Sequence, residues 1–163
     1  METLPERTHS GAMLSRAWYS ATIAEFLESP PDSIVGRLTS NCEFAILPTQ
    51  RDAWLGQTAL LQGCLQGLTG SLFLEFNIPR MGRRVDAVLL IGPVVFVVEF
   101  KVGERTFDRA GVDQVWDYAL DLKNFHKASH SAAIVPILIA TEAAESGLVE
   151  LHADEDRVYR PIS

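Results

Sequence analysis

Two apolar segments joined by Gly92-Pro93 constrain the fold of this chain more than any other feature; the stretch reads RRVDAVLLIGPVVFVVEFKVG (residues 83–103). Each segment is rich in valine and has the length of an ordinary strand, which is typical of a strand buried in a sheet. Gly92 supplies the positive φ that the first loop position of a type II′ turn requires, and Pro93 tolerates the negative φ of the second. The sequence therefore predicts an antiparallel hairpin with strands over 84–91 and 94–101.

Charged residues interrupt both apolar segments. A turn centred on Gly92-Pro93 places Asp86 opposite Glu99, and Lys101 shares the face of Glu99 because side chains alternate along a strand. Two opposed carboxylates destabilise a sheet unless positive charge lies between them. Lys101 supplies part of that charge, and Mg²⁺ or Mn²⁺ would supply more, since hard cations prefer oxygen ligands.

Two alternatives to a cation site remain open at this point. Asp86 and Glu99 could end their strands in an ordinary ion network with Arg83, Arg84 and Lys101. A shift of the hairpin register by one residue would also send Asp86 to the other face of the sheet and separate the two carboxylates.

Periodic segments elsewhere complete the predicted layout. Helices are expected over 16–29, 34–40, 50–68 and 107–129, and further strands over 71–78 and 132–140. Pro136 requires an edge position or a bulge in the last strand, because proline has no backbone donor. This order of helices, three strands, a helix and a strand predicts an α/β fold with a mixed sheet.

Length and composition indicate one folded domain. The chain has 163 residues with a hydrophobic fraction of 47%, so we expect a single domain over 16–163 after a loose N-terminal segment, 1–15. No apolar run approaches the roughly 18 residues of a membrane span, and the first residues show no signal-peptide pattern. Cys42 and Cys64 lack CxxC spacing and are expected to be reduced thiols, which predicts a cytoplasmic protein.

The charge distribution bears on nucleic-acid binding. The net charge of −7 argues against a broad basic clamp. Six basic residues nevertheless fall within one short segment, as candidates for phosphate contacts or as a solvated face: Arg80, Arg83, Arg84, Lys101, Arg105 and Arg109.

The motif Asp86, Glu99-x-Lys101 and Gln114-x-x-x-Tyr118 resembles that of the PD-(D/E)XK nuclease superfamily, in its RecB-like branch. Wider segments are similar to the nuclease-like module that precedes a Schlafen-type DNA/RNA helicase domain in bacterial proteins: EFNIPRMGRRVDAVLL, VVEFKVGERTF, DQVWDYALDLKNFH and IVPILIAT. This resemblance implies a restriction-endonuclease-like core, with a helix, a three-stranded antiparallel meander, a helix and a strand around a mixed sheet flanked by helices.

The resemblance also implies a role for each residue of the motif. Asp86 and Glu99 would ligate Mg²⁺ or Mn²⁺ together with the carbonyl of Phe100, and Lys101 would orient or help to deprotonate the attacking water. Gln114 and Tyr118 lie one helical turn apart, so they share a face and would complete the site or touch the nucleic-acid backbone. One departure from the family pattern is a valine, not a proline, before Asp86.

An additional carboxylate is often supplied from upstream in this superfamily. Glu75 is the candidate because it alternates with Phe73 and Asn77, away from the apolar residues of its strand. The equally open alternative is a structural ion pair between Glu75 and Arg80 or Arg83.

These expectations define a metal-dependent nuclease domain that hydrolyses phosphodiester bonds in DNA, with RNA as the second candidate. The nucleic acid would contact Arg80, Arg83, Arg84 and Arg105. The resemblance further implies that the chain is the N-terminal part of a larger helicase-containing protein; it carries no Walker A motif of its own. The alternative function is a non-catalytic nucleic-acid-binding or docking module that keeps the nuclease fold.

Overall fold

A computed structural model describes residues 16–78, 81–144 and 150–163, and within them one five-stranded sheet is ordered β1-β2-β3-β4-β5. The elements are β1 (Ala17–Thr22), α1 (Ile23–Glu28), α2 (Pro31–Asn41), α3 (Pro48–Cys64), β2 (Ser71–Asn77), β3 (Arg84–Ile91), β4 (Val94–Lys101), α4 (Arg109–Phe125) and β5 (Ala133–Ala140), with a 3-10 turn at Lys127–Ser129 before β5. The predicted loose segment, 1–15, lies outside the described residues.

The predicted hairpin is confirmed in its strands, its direction and its register. β3 and β4 are antiparallel, and their pairing runs from Ile91–Val94 at the turn to Ala87–Val98. Gly92 has a φ of 57°, as the turn requires. β2 is antiparallel to β3, and β5 is parallel to β4, which makes the sheet mixed. The α/β class and the antiparallel meander are therefore as predicted.

The predicted helix over 16–29 is wrong in its first half. Residues Ala17–Thr22 form β1, an edge strand antiparallel to β2, in which Ala17 and Tyr19 are buried. The helix begins only at Ile23, after Thr22 and Glu25 form a capping box. Alanine and tryptophan suit a helical stripe locally, but pairing with the exposed edge of β2 overrides that preference.

Pro136 lies on an edge strand, one of the two positions expected for a proline in a strand. β5 is the outer strand of the sheet next to β4. The N–H groups of Ile134 and Leu138 bond to the C-terminal segment rather than to β4, and Ile162 donates to the carbonyl of Pro136. Since backbone groups alternate in direction along a strand, the missing N–H of Pro136 falls on the outer side and the ladder with β4 is intact.

Two apolar clusters flank the sheet. One joins the sheet to α1, α2 and α3 and includes Trp54 and Leu89; the other joins it to α4 and includes Leu122 and Val97. None of the helices in the described ranges combines the length and the hydropathy needed to cross a membrane. The strands β2, β3 and β4 and the helix α4, which carry the candidate site residues, are held in place by these two clusters.

Candidate active site

Glu75, Asp86 and Glu99 come from three neighbouring strands at one level of the sheet. Glu75 and Asp86 stand at equivalent positions of β2 and β3, between two pairs of the ladder. Asp86 and Glu99 are the next residues beyond Ala87–Val98, the pair at which the ladder of β3 and β4 ends. The carboxylates therefore lie where regular pairing is interrupted in both ladders.

Glu75 is held in an unusual backbone conformation. Its φ of 53° is left-handed, which costs a non-glycine residue about 1–3 kcal/mol. The side chain accepts a hydrogen bond of 2.8 Å from Trp54 Nε1 and lies 3.7 Å from Arg84 Nε. Burial raises the pKa of Glu75, while the Trp54 hydrogen bond and the Arg84 charge oppose that change. The structure thus pairs Glu75 with Arg84, whereas the sequence suggested Arg80 or Arg83 as the partner.

Asp86 bonds across the end of the hairpin. Its Oδ2 accepts a hydrogen bond of 2.7 Å from the backbone N–H of Phe100. Burial raises the pKa of Asp86 to about 7; the Phe100 N–H and Lys101 lower it, and the charge of Glu75 raises it further. Near neutral pH this carboxyl group therefore holds its proton part of the time unless a cation replaces it.

Glu99 is buried, with 7% of its surface exposed. Its Oε1 lies 3.9 Å from Lys101 Nζ and accepts a hydrogen bond of 3.1 Å from Gln114 Nε2. Its Oε2 is buried without a hydrogen-bond partner among the described residues. Burial, followed by the charge of Asp86, raises the pKa of Glu99 to about 8, against the lowering effects of the Lys101 charge and of the Asp86 backbone N–H. An unpartnered buried carboxylate oxygen is costly unless a proton or a cation meets it.

Lys101, Gln114 and Tyr118 form one hydrogen-bonded chain beside Glu99. Lys101 Nζ donates to Gln114 Oε1 at 2.8 Å, and Gln114 Nε2 bonds to Tyr118 Oη at 2.8 Å as well as to Glu99. Burial raises the pKa of Tyr118, so the phenol stays protonated. Gln114 thereby fixes the position of the Lys101 ammonium next to the carboxylates.

The start of α4 brings this chain of contacts to the sheet. Asp108 caps the helix by accepting the N–H of Gly111 at 2.7 Å. A Cβ atom on Gly111 would lie 3.2 Å from Lys101 Cε and 3.1 Å from Leu138 Cδ2. A larger residue at this position would therefore require the side chains of Asp108, Leu138 and Lys101 to shift.

The oxygen donors at this place are of the type that hard divalent cations prefer. Within the ranges that the structure describes, no group of three or more His, Cys, Asp or Glu side chains is placed to hold a metal. Half-buried Asp86 and buried Glu99 offer two neighbouring carboxyl groups, and one Glu99 oxygen has no hydrogen-bond partner among the described residues. Mg²⁺ is usually held by one or two carboxylates together with water molecules. The Glu75 carboxylate already contacts Trp54 and Arg84. Glu75 therefore lies beside the pair formed by Asp86 and Glu99.

The predicted basic segment is largely neutralised by acidic partners. Each described cation of this segment lies within 4 Å of a carboxylate oxygen, in the pairs Arg83–Asp117 (3.9 Å), Arg84–Glu75 (3.7 Å), Lys101–Glu99 (3.9 Å), Arg105–Glu142 (3.6 Å) and Arg109–Asp113 (3.7 Å). Arg80 lies outside the described residues. Arg105 and Arg109 are well exposed, so their pairs are weak and open to competition by phosphate.

Two tryptophans join the site without having been predicted there. The guanidinium of Arg84 lies 3.7 Å from the ring centre of Trp18, and Trp18 meets the ring of Trp54 edge to face. Trp18 lies on β1, within the residues 16–29 for which the sequence predicts a helix. The run of three apolar residues that opens AWYSAT carries no strict period-2 pattern, so the sequence gives little signal for a strand beside Glu75.

Comparison of the chain with protein-family models, with curated proteins and with solved structures gives no match.

Proposed function

We propose that this chain is a metal-dependent nuclease domain that hydrolyses phosphodiester bonds in DNA, with RNA as the second candidate substrate. The observation that carries the proposal is the neighbouring pair of half-buried Asp86 and buried Glu99. The Oε2 atom of Glu99 has no hydrogen-bond partner among the described residues, and its Oε1 atom lies in the same network as Lys101 and Gln114. Titratable groups with strongly shifted pKa values and a specific charged partner are typical of catalytic sites.

The topology supports a restriction-endonuclease-like core as part of this proposal. The meander β2–β3–β4 is followed by α4 and by β5, which is parallel to β4. The motif residues fall on the elements on which the PD-(D/E)XK resemblance requires them, with Asp86 on β3, Glu99 and Lys101 on β4, and Gln114 and Tyr118 on α4. The proposal that the chain belongs to a larger helicase-containing protein rests on the resemblance alone.

Asp86 and Glu99, with the carbonyl of Phe100, are the groups that would hold Mg²⁺ or Mn²⁺ in this account. The bound ion supplies Lewis-acid stabilisation of the phosphate oxygens and acidifies a water molecule. The side chains themselves must lose their protons first, and the raised pKa values of both carboxyl groups make that loss pH-dependent.

Lys101 is proposed to act on the attacking water or on the developing charge of the phosphate. Its ammonium group is partly exposed, and the hydrogen bond to Gln114 Oε1 uses one of its three donors. Gln114 is a positioning residue in this account because it contacts Lys101, Glu99 and Tyr118 at once.

The second candidate is a non-catalytic nucleic-acid-binding or docking module. The ion pair of Lys101 with Glu99 and the pairing of the neighbouring arginines with acidic residues favour it, because a structural ion network needs no metal. The carboxylate oxygen without a partner favours the enzyme, because a structural network would be expected to satisfy it.

Cleavage assays distinguish the two functions. Single-stranded, duplex and branched DNA and RNA are incubated with the full chain in Mg²⁺, in Mn²⁺ or in EDTA. We expect cleavage with either metal and none in EDTA. Asp86→Asn and Glu99→Gln should each lower the rate by at least about 10²-fold, since each removes charge at the metal. Glu150→Gln, a matched loss of charge at a well-exposed glutamate that contacts His152, should cleave like the wild type.

Absence of cleavage on every substrate, with all variants binding nucleic acid alike, would support the docking module instead. Equal cleavage by the wild type and by Glu99→Gln would contradict the assignment of this carboxylate.

A further inference from the structure

A cleft of about 340 Å³ opens beside the carboxylate pair. Trp18 and Trp54 line it together with the loop between α2 and α3 and with Gln50. Its acidic lining residues are Glu75 and Asp86, so the cleft shares Asp86 with the candidate active site. A group bound in the cleft could therefore belong to the same nucleotide as a phosphate held at the carboxylates.

The lining of the cleft excludes a phosphate as its occupant. Its ionisable carboxyl groups are those of Glu75 and Asp86, and its described lining includes no lysine, arginine or histidine. The nearby guanidinium of Arg84 is already engaged with the Trp18 ring and the Glu75 carboxylate. A flat, uncharged group with N–H donors matches this combination of aromatic walls and acidic acceptors.

The loop between α2 and α3 supplies an apolar rim. Phe44 and Leu47, both in the lining, are 70% and 67% exposed, more than any other large apolar side chain in the described part of the chain. An exposed aromatic ring next to a cleft is the usual form of a stacking platform for an unpaired base. A base within a duplex has both faces covered by its neighbours, so only an unstacked base could use this ring.

We propose that the cleft binds one unpaired nucleobase, which makes single-stranded nucleic acid or a strand end the substrate class of this domain. The base stacks at Phe44 and directs its amino group to the acidic lining, while its phosphate extends toward Asp86 and Glu99. This inference rests on the proposed function, because the carboxylate pair is what the adjoining phosphate would reach.

Fluorescence anisotropy of labelled oligonucleotides in EDTA tests the cleft without cleavage. The ligands are a short mixed-sequence single strand, the same strand as a duplex, and an abasic strand of the same length. We expect the wild type to bind the single strand about tenfold or more tightly than the abasic strand, the gain from stacking one base. Phe44→Ala should remove that advantage, and Phe44→Trp should retain it. Phe125→Ala, at a ring 44% exposed near the end of α4, is the matched control and should bind like the wild type.

Tryptophan fluorescence gives a second readout in the same samples. A Trp116→Phe background leaves Trp18 and Trp54, both in the cleft, and the single strand should quench them whereas the abasic strand should not. Equal affinity of the wild type and Phe44→Ala for the single strand, with no quenching, would overturn the proposal and assign the rim to a protein partner.

The two proposals can fail independently. Metal-dependent cleavage that is lost in Glu99→Gln while Phe44→Ala binds the single strand normally would overturn the cleft and leave the nuclease standing. Base-dependent binding that is lost in Phe44→Ala without any cleavage would support the cleft in a non-catalytic module.

Discussion

The Oδ2 atom of Asp86 accepts a hydrogen bond of 2.7 Å from the backbone N–H of Phe100. A side chain of β3 thus bonds to the backbone of β4 just beyond the last pair of their ladder. This contact keeps Asp86 beside Glu99 while regular pairing ends, and both carboxyl groups remain inside the fold with raised pKa values.

The metal-free protein should lose stability as the pH rises. The pKa of Asp86 is raised from 3.8 to about 7 and that of Glu99 from 4.5 to about 8. Between the ordinary and the raised values the folded state holds more protons than the unfolded state, so the free energy of unfolding falls with increasing pH across that window. Urea unfolding in EDTA from about pH 5 to about pH 8.5 measures this slope.

Glu99→Gln provides the control for this titration. His126, whose pKa is lowered by burial, contributes with the opposite sign at the acidic end, but it does so equally in both proteins. The difference between the wild type and Glu99→Gln should therefore favour the variant increasingly toward high pH. A difference that is constant with pH would show that the Glu99 carboxyl group titrates normally.

Loss of the Lys101 ammonium should lower the turnover of the nuclease and shift its pH profile. Lys101→Met should reduce kcat by at least about 10²-fold, the usual contribution of a positioned proton donor or acceptor. Because Lys101 lowers the pKa of Glu99, the limb of the profile that requires an ionised Glu99 should move to higher pH in the variant. Gln114→Leu should produce a smaller loss in kcat, since it frees Lys101 without removing it.

Lys127→Met, at an exposed lysine distant in sequence from the motif, is the control for this pair. A Lys101→Met enzyme with an unchanged kcat and a raised KM would assign Lys101 to substrate binding only.

Gly111→Ala should impair the site while Gly56→Ala stabilises the fold. Alanine normally favours a helix interior over glycine by about 0.5–1 kcal/mol. Gly56 is exposed in the interior of α3, and a Cβ there meets nothing within 4 Å, so that variant should show the gain in full. A Cβ at Gly111 would lie 2.7 Å from the capping Asp108 Oδ1 and would press on Lys101, so that variant should show no gain and a lower kcat. Equal stabilisation by both substitutions in thermal melts would contradict the close approach of α4.

The hairpin could be predicted from the sequence because its determinants are local. Gly92-Pro93 fixes the turn, and the turn fixes which residues of the strands pair. The adjacency of Asp86 and Glu99 follows from that register. Asp108 could likewise be predicted as the cap that begins α4, since capping depends on a few neighbouring residues.

The contacts that could not be predicted depend on distant segments. Ala17–Thr22 becomes a strand only because β2 offers it an edge, and this pairing brings Trp18 to Arg84. The acid partners of the arginines are similarly set by how α4 packs beside the sheet, as with Arg83 and Asp117. Sequence spacing carries little information about such pairs, because surface ion pairs contribute only about 0–1 kcal/mol and leave no periodic pattern.

Calorimetric titration of the metal-free protein with Mn²⁺ tests the central claim, that Asp86 and Glu99 together hold a divalent cation. Titrations near neutral pH in two buffers of different ionisation enthalpy give both the stoichiometry and the protons released. We predict that one ion binds per chain and that binding releases on the order of one proton, since ligands with raised pKa values must ionise. Glu99→Gln should lose this binding, and Glu150→Gln should retain it. Binding of equal strength in the wild type and Glu99→Gln, or no binding to either, would contradict the account.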